Sequence, residues 1–202
     1  DKMNESYIRY IIEDEDSVLA HWLRLGADGY RLDVVDELPD AFLARLRKRL
    51  RELKPDAILI GEVWEDASNK VAYGVRRRYL TGRQLDSVMN YPWQKAILRY
   101  VRGEDGGEQL GERIMTIAEN YPSDVLSAVM NILSTHDTPR ALTALVDPTD
   151  AGRAELARRH MDAPTRSRAL HLLRMAAFLQ FMLPGAPCIY YGDEAGMDGY
   201  RD

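Results

Sequence analysis

Between residues 5 and 25, Ile8, Ile11, Ile12, Leu19, Trp22 and Leu23 recur on one face at helical spacing, with Glu15 the single charged intruder. This pattern predicts an amphipathic helix that Gly26 stops. A short extended run over 29–35 follows, and then a second helix in which Pro39 sits at the first turn and Phe42, Leu43, Leu46, Leu50 and Leu53 form the apolar stripe. Lys54-Pro55-Asp56 breaks the pattern. Residues 57–63 are almost continuously apolar and bounded by turn residues, which suits a parallel strand covered on both faces. Further along, 85–89 and 129–133 are predicted strands, while 93–101 and 109–120 are predicted helices. Pro139 opens a short helix, a charged loop holds Pro148 and Pro164, and a long helix over 166–183 is apolar nearly all round near its end, the mark of a buried helix. A last short strand covers 188–191. Helices and strands alternating in this order imply crossover connections and a parallel sheet, either open and doubly wound or part of a barrel. With no repeat, low-complexity stretch or linker, one domain is expected.

Composition narrows the function. The 202 residues carry 27 basic and 32 acidic side chains (27 − 32 = −5), are 46% hydrophobic and 29% charged, and include one cysteine. A mildly acidic chain with scattered basic residues has no footprint for a phosphate backbone, so no nucleic-acid partner is expected. The longest apolar stretch, 175–187, is interrupted by Gln180, Pro184 and Gly185 and is too short for a bilayer, so no membrane partner is expected either. Cys188 has no partner for a disulfide, and the first residues lack a signal pattern; a cytoplasmic location is the favoured expectation. His21, His136, His160 and His171 show no metal-ligand spacing.

The candidate chemistry lies in the acids. Asp33 falls at or near the end of one predicted strand, Glu62 at the end of the next and Asp137 just beyond a third. In parallel α/β architectures the carboxyl ends of strands are where side chains from distant sequence converge. A pair of carboxyl groups, one protonated and one ionised, is the equipment of glycoside hydrolysis. Arg31 lies two residues before Asp33, on the same face of the strand, where its charge favours an ionised nucleophile. A lone aspartate at a strand end is more often a helix cap than a nucleophile, so the weight rests on the set. Trp64 is placed to flank a sugar ring. Asp36 and Glu37 either favour the positive end of the helix opening near Pro39 or serve the substrate. Arg76-Arg77-Arg78 reads as a solvated face with one interior contact.

Three segments, Gly29-Tyr30-Arg31-Leu32-Asp33-Val34-Val35-Asp36-Glu37, Gly61-Glu62-Val63-Trp64 and Ser134-Thr135-His136-Asp137-Thr138-Pro139-Arg140, resemble signature segments of the α-amylase family, glycoside hydrolase family 13. Gly185-Ala186-Pro187-Cys188-Ile189-Tyr190-Tyr191-Gly192-Asp193-Glu194 resembles the family's eighth strand. The resemblance implies the C-terminal half of a (β/α)8 barrel, strands four to eight, with the first three absent. It implies Asp33 as nucleophile, Glu62 as general acid/base, and Asp137 as the carboxylate gripping substrate hydroxyls, supported by Arg31 and His136. Asp36-Glu37 and the Tyr-Pro after Asn90 resemble the cyclomaltodextrinase and neopullulanase branch, where residues after the nucleophile strand meet the acceptor side of the glucan.

The implied substrate is an α-glucan or maltooligosaccharide and no redox or organic cofactor is required, calcium in the full-length protein being undetermined by these residues. Asp33 and Glu62 are expected about 5–5.5 Å apart, the spacing of a retaining enzyme. Without the third-strand segment the isolated chain is expected to turn over poorly, and its edge strands, containing Leu32 and Tyr190, are expected to promote self-association. The alternatives are a transglycosylase of the same family and a non-catalytic half-barrel that binds glucan or self-associates.

Overall fold

The computed structural model describes residues 1–149, 153–156 and 158–200. In chain order its elements are α1 (Glu5–Ile8), a π-helical turn (Arg9–Glu13), α2 (Val18–Arg24), β1 (Gly29–Leu32), a 3₁₀ turn (Val35–Glu37), α3 (Asp40–Leu53), β2 (Ile58–Gly61), β3 (Val71–Ala72), β4 (Val75–Arg76) and β5 (Ser87–Val88). There follow α4 (Tyr91–Val101), α5 (Gly107–Asn120), α6 (Ser123–Ser127), β6 (Met130–Asn131), α7 (Ala141–Ala144), α8 (Arg153–Leu156), α9 (Ala163–Met182) and β7 (Ala186–Pro187). The chain forms two compact units, Asp1–Met89 with Asn120–Val129, and Asn90–Glu119 with Met130–Asp202.

In the first unit β1, β2 and β5 make a parallel sheet in the order β1-β2-β5, with Leu32 opposite Gly61 and Gly61 opposite Val88. The crossover α3 buries Phe42, Leu43, Leu46 and Leu50, the predicted stripe at helical spacing, while Leu53 at its end is exposed. Each fully buried side chain of this kind contributes about 1.5–3 kcal/mol. On the same helix Arg47, only 8% exposed, grips Asp86 through both terminal nitrogens, and Asp86 also accepts the Leu59 N–H of β2 at 2.8 Å. Helix and sheet are thus joined by a charged clamp beside the apolar one.

The predicted helix over 5–25 is broken in two. Asp14 is extended, Ser17 caps α2 by accepting the Ala20 N–H at 3.3 Å, and its hydroxyl donates to the Ile12 carbonyl at 3.1 Å. Periodicity alone hid this, because Ile8, Ile12 and Leu19 are buried on both sides of the break. Gly26 ends α2 as predicted: its N–H reaches Leu23 O and that of Ala27 reaches Trp22 O, a Schellman closure with Gly26 at φ +104°. The hairpin of β3 and β4, paired antiparallel around Tyr73-Gly74, was not anticipated.

In the second unit β6 and β7 pair in parallel, and α4, α7 and α9 pack together with Leu142 and Ala176 fully buried. The expectation of a helix buried all round is corrected here. Ala169, Leu173, Ala176 and Gln180 of α9 are buried, whereas Met175, Phe178, Phe181 and Met182 are exposed, Phe178 by 64%. Only one stripe of the helix meets neighbours among the described residues of its unit. The last strand is also displaced: β7 is Ala186–Pro187, and residues 188–191 carry no strand. Pro164 belongs to the first turn of α9 rather than to the charged loop, part of which lies outside the described residues. No helix among the described residues is long and apolar enough to cross a membrane.

Candidate active site

The register of the first sheet positions the two central acids. Leu32 and Gly61 are partners at the ends of adjacent parallel strands, so Asp33 and Glu62 are each the next residue of their chain, and the Glu62 N–H continues the ladder to Leu32 O at 3.0 Å. Gly61 is a packing position: a Cβ there would lie 2.5 Å from Leu85 Cδ1 and 3.2 Å from Val35 Cγ1. Its missing side chain lets β2 close on Leu85 and Val35.

One guanidinium joins the two acids. Arg31 Nη1 donates to Asp33 Oδ1 at 2.5 Å, and Nη2 forms an ion pair with Glu62 Oε2 at 3.0 Å. The Asp33 side chain is 71% exposed and that of Glu62 only 4%, so one acid is open to a ligand and the other is enclosed. Two hydrogen-bond donors reach Glu62, the Val34 N–H to Oε2 at 3.0 Å and the Trp64 indole N–H to Oε1 at 2.9 Å. A buried carboxyl group held by donors on both oxygens has a fixed orientation, which acid–base chemistry requires.

Asp36 and Glu37 are held by residues 70–79 and, for Glu37, also by Lys2, rather than by the α3 N-terminus. Asp36 accepts from the Tyr79 hydroxyl at 2.6 Å and pairs with Lys70 at 3.0 Å, while Glu37 accepts from the Tyr73 hydroxyl and pairs with Lys2 at 3.6 Å. Burial, and then the bond to Asp36, push the Tyr79 phenol well above its ordinary value. Arg77 provides the one interior contact of the arginine run, donating to Leu38 O and pairing with Asp40 at 3.2 Å. Lys70, Tyr73 and Tyr79 were missed by sequence reasoning, because Tyr73-Gly74 is not one of the dipeptides that mark a two-residue hairpin.

His136 and Asp137 belong to the second unit. His136 Nε2 lies 3.1 Å from Asp137 Oδ2, both side chains are exposed, and the Asp137 N–H donates to Thr135 Oγ1 at 3.2 Å. Ser134, the first residue of this segment, donates its hydroxyl to Asp193, whose carboxyl burial pushes above the ordinary aspartate value. Arg140 stacks on Tyr190 and Tyr191 at 4.7 and 4.2 Å and donates to Tyr191 O, tying the segment's end to the residues after β7. Among the described residues no group of three or more His, Cys, Asp or Glu is arranged to hold a metal ion.

The family model described as the α-amylase catalytic domain matches residues 3–202. The chain belongs to the α-amylase family. It is 34% identical over 196 residues to a cyclomaltodextrinase of Geobacillus thermopakistaniensis, covering 96% of this chain and 28% of that protein. It is likewise 34% identical over 186 residues to neopullulanase 2 of Thermoactinomyces vulgaris, covering 92% and 27%. Among solved structures, the type III pullulan hydrolase from Thermococcus kodakarensis superposes with a TM-score of 0.79 at 30% identity, covering 98% of this chain and 31% of that one. The cyclic α-maltosyl-(1→6)-maltose hydrolase from Arthrobacter globiformis, in complex with cyclic α-maltosyl-(1→6)-maltose, superposes at 0.77 and 25% identity, covering 98% and 38%. This α-amylase-family chain therefore spans less than a third of the length of these two curated relatives. Its α/β fold with parallel strands is that of the family, and the likeness to a cyclomaltodextrinase and a neopullulanase agrees with the branch expected from Asp36-Glu37 and Asn90-Tyr91-Pro92.

Proposed function

We propose that this chain carries the nucleophile and the general acid/base of a retaining glycoside hydrolase acting on α-glucans. The observation that supports this most directly is the single guanidinium of Arg31 held between Asp33 and Glu62. Arg31 occupies Asp33 Oδ1, leaving Oδ2 of an exposed side chain to attack the anomeric carbon of a glucosyl unit. Glu62 donates its proton to the glycosidic oxygen as the bond to the leaving sugar breaks, and a glycosyl ester of Asp33 forms. Glu62 then takes a proton from water, the water oxygen bonds to the anomeric carbon, and the ester breaks to regenerate Asp33. Each oxygen of Glu62 accepts one hydrogen bond, Oε2 from the Val34 N–H and Oε1 from the Trp64 indole, but only Oε2 also faces the Arg31 charge at 3.0 Å, so Oε1 is the oxygen assigned to proton transfer. Asp137 and His136 are assigned the gripping of sugar hydroxyls, and Trp64, Asp36 and Glu37 the acceptor side.

In this reading the chain is part of a longer enzyme, in line with its short span of the relatives, and the isolated chain turns over poorly. Self-association of that isolated chain belongs to the same reading, since among the described residues β1 has β2 as its only ladder neighbour. Proton NMR of the first product released from a maltooligosaccharide tests the mechanism. The α anomer appears first if Asp33 and Glu62 act as proposed; initial release of the β anomer would overturn the retaining assignment.

A further inference from the structure

Two non-glycine residues among those described have positive φ, Tyr73 at 54° and Val34 at 42°. Tyr73 precedes Gly74, at φ 74°, in the two-residue turn of a hairpin, a turn in which both central residues adopt the left-handed region. Val34 has no such reason. It is β-branched, the kind of side chain that tolerates this region worst, and it is 46% exposed, so packing does not hold it there.

Two hydrogen bonds are made by the main chain of this residue. The Val34 carbonyl accepts the Glu37 N–H at 2.9 Å, closing the 3₁₀ turn, and the Val34 N–H donates to Glu62 Oε2 at 3.0 Å. The direction of this N–H is set by the Asp33–Val34 peptide at the end of β1, and the left-handed angles of Val34 turn the chain beyond it out of the strand. Strained backbone persists where surrounding structure over-determines it, characteristically at functional sites.

We propose that the Val34 main-chain N–H is a positioning group for Glu62, and that the left-handed turn, by ending β1 at this point, leaves that N–H to the Glu62 side chain rather than to a further ladder bond. The proposal rests on the acid/base reading of Glu62. Arg31 divides its charge between Asp33 and Glu62, whereas the Val34 N–H is given to Glu62 alone. A main-chain donor also has no rotamer into which to swing, so Oε2 stays anchored while Oε1 faces the bond being cleaved.

The test follows the Val34 amide resonance and the Glu62 side-chain carboxyl carbon of the full chain by NMR across pH, in the parent and in Glu62→Gln. The Val34 amide proton is expected to shift with the midpoint of the Glu62 carboxyl carbon, and to lose that shift in Glu62→Gln. A Val34 amide indifferent to the protonation of Glu62 would overturn the proposal. In a preparation that hydrolyses maltooligosaccharide, replacing the Val34 amide by a backbone ester is expected to lower kcat about 10- to 100-fold with KM unchanged, the loss of one hydrogen bond to a charged group. An ester form with the parent kcat would equally overturn it, and should that form not fold, the titration decides alone. The titration reads geometry whether or not the chain turns over. Failure of the acid/base reading, seen as full activity in Glu62→Gln, is therefore a separate result.

Discussion

Arg31 Nη2 stands 3.0 Å from Oε2 of Glu62, whose side chain is only 4% exposed, while Nη1 of the same guanidinium holds Asp33. A planar fork serves two acids on adjacent strands at once, and an ammonium group has no such geometry. Arg31→Lys is therefore expected to keep the fold and to lower kcat by about 10²-fold or more, with a small change in KM. Steady-state kinetics on a maltooligosaccharide check this; a loss below about tenfold would mean that the bridge is incidental.

A methyl group on Gly61 would lie 2.5 Å from Cδ1 of the buried Leu85 and 3.2 Å from Val35 Cγ1, so Leu85 must shift to admit it. Gly61→Ala is expected to destabilise the protein by about 1–3 kcal/mol through overpacking. A denaturant titration measures it, and an unchanged midpoint would show that β2 has slack there.

Asp86 receives Arg47, Arg51 at 3.0 Å and the Leu59 N–H. Removing one partner of so enclosed a cluster leaves a charge unpaired, so Asp86→Ala is expected to cost about 3–5 kcal/mol. Replacing Arg47 and Asp86 together by Met and Leu is expected to cost less than Asp86→Ala alone. Equal losses in thermal unfolding would place the stabilisation elsewhere.

Asp147 titrates at about 2, held down first by the Thr149 hydroxyl, then by the Tyr200 hydroxyl, with Arg159 adding to both. A carboxyl group depressed in the folded state contributes stability that is fully present above its unfolded value of 3.8 and disappears as pH falls through about 2. The difference in melting temperature between the parent and Asp147→Asn is thus expected to be constant from pH 7 to about 5 and to close between about 4 and 2. A gap persisting at pH 2 would assign the effect to packing.

Much of this architecture was legible from periodicity, because α3 and β2 combine a helical stripe or a continuous apolar run with clear punctuation at Pro39 and Lys54-Pro55-Asp56. The placement of Asp33 and Glu62 near strand ends was legible for the same reason, although the strands stop at Leu32 and Gly61, short of the expected 35 and 63. What escaped depended on contacts or on single backbone angles. The break at Asp14–Ser17 leaves the apolar face unchanged, the exposed side of α9 is as apolar as its buried side, and the conformation of Val34 has no signature in the residue itself. Asp36 and Glu37 were recognised as significant, but the tyrosines that hold them lie 43 and 36 residues further along the chain.

The central claim, that Asp33 forms the covalent bond, is tested most directly by mass spectrometry. A preparation that hydrolyses maltooligosaccharide is incubated with a 5-fluoroglycosyl fluoride of α configuration, which forms the glycosyl ester faster than it is released, and is then digested and mapped. The account predicts one glycosyl adduct per chain, on the peptide bearing Asp33, and none in Asp33→Asn. An adduct on another residue, or labelling that survives Asp33→Asn, would contradict it.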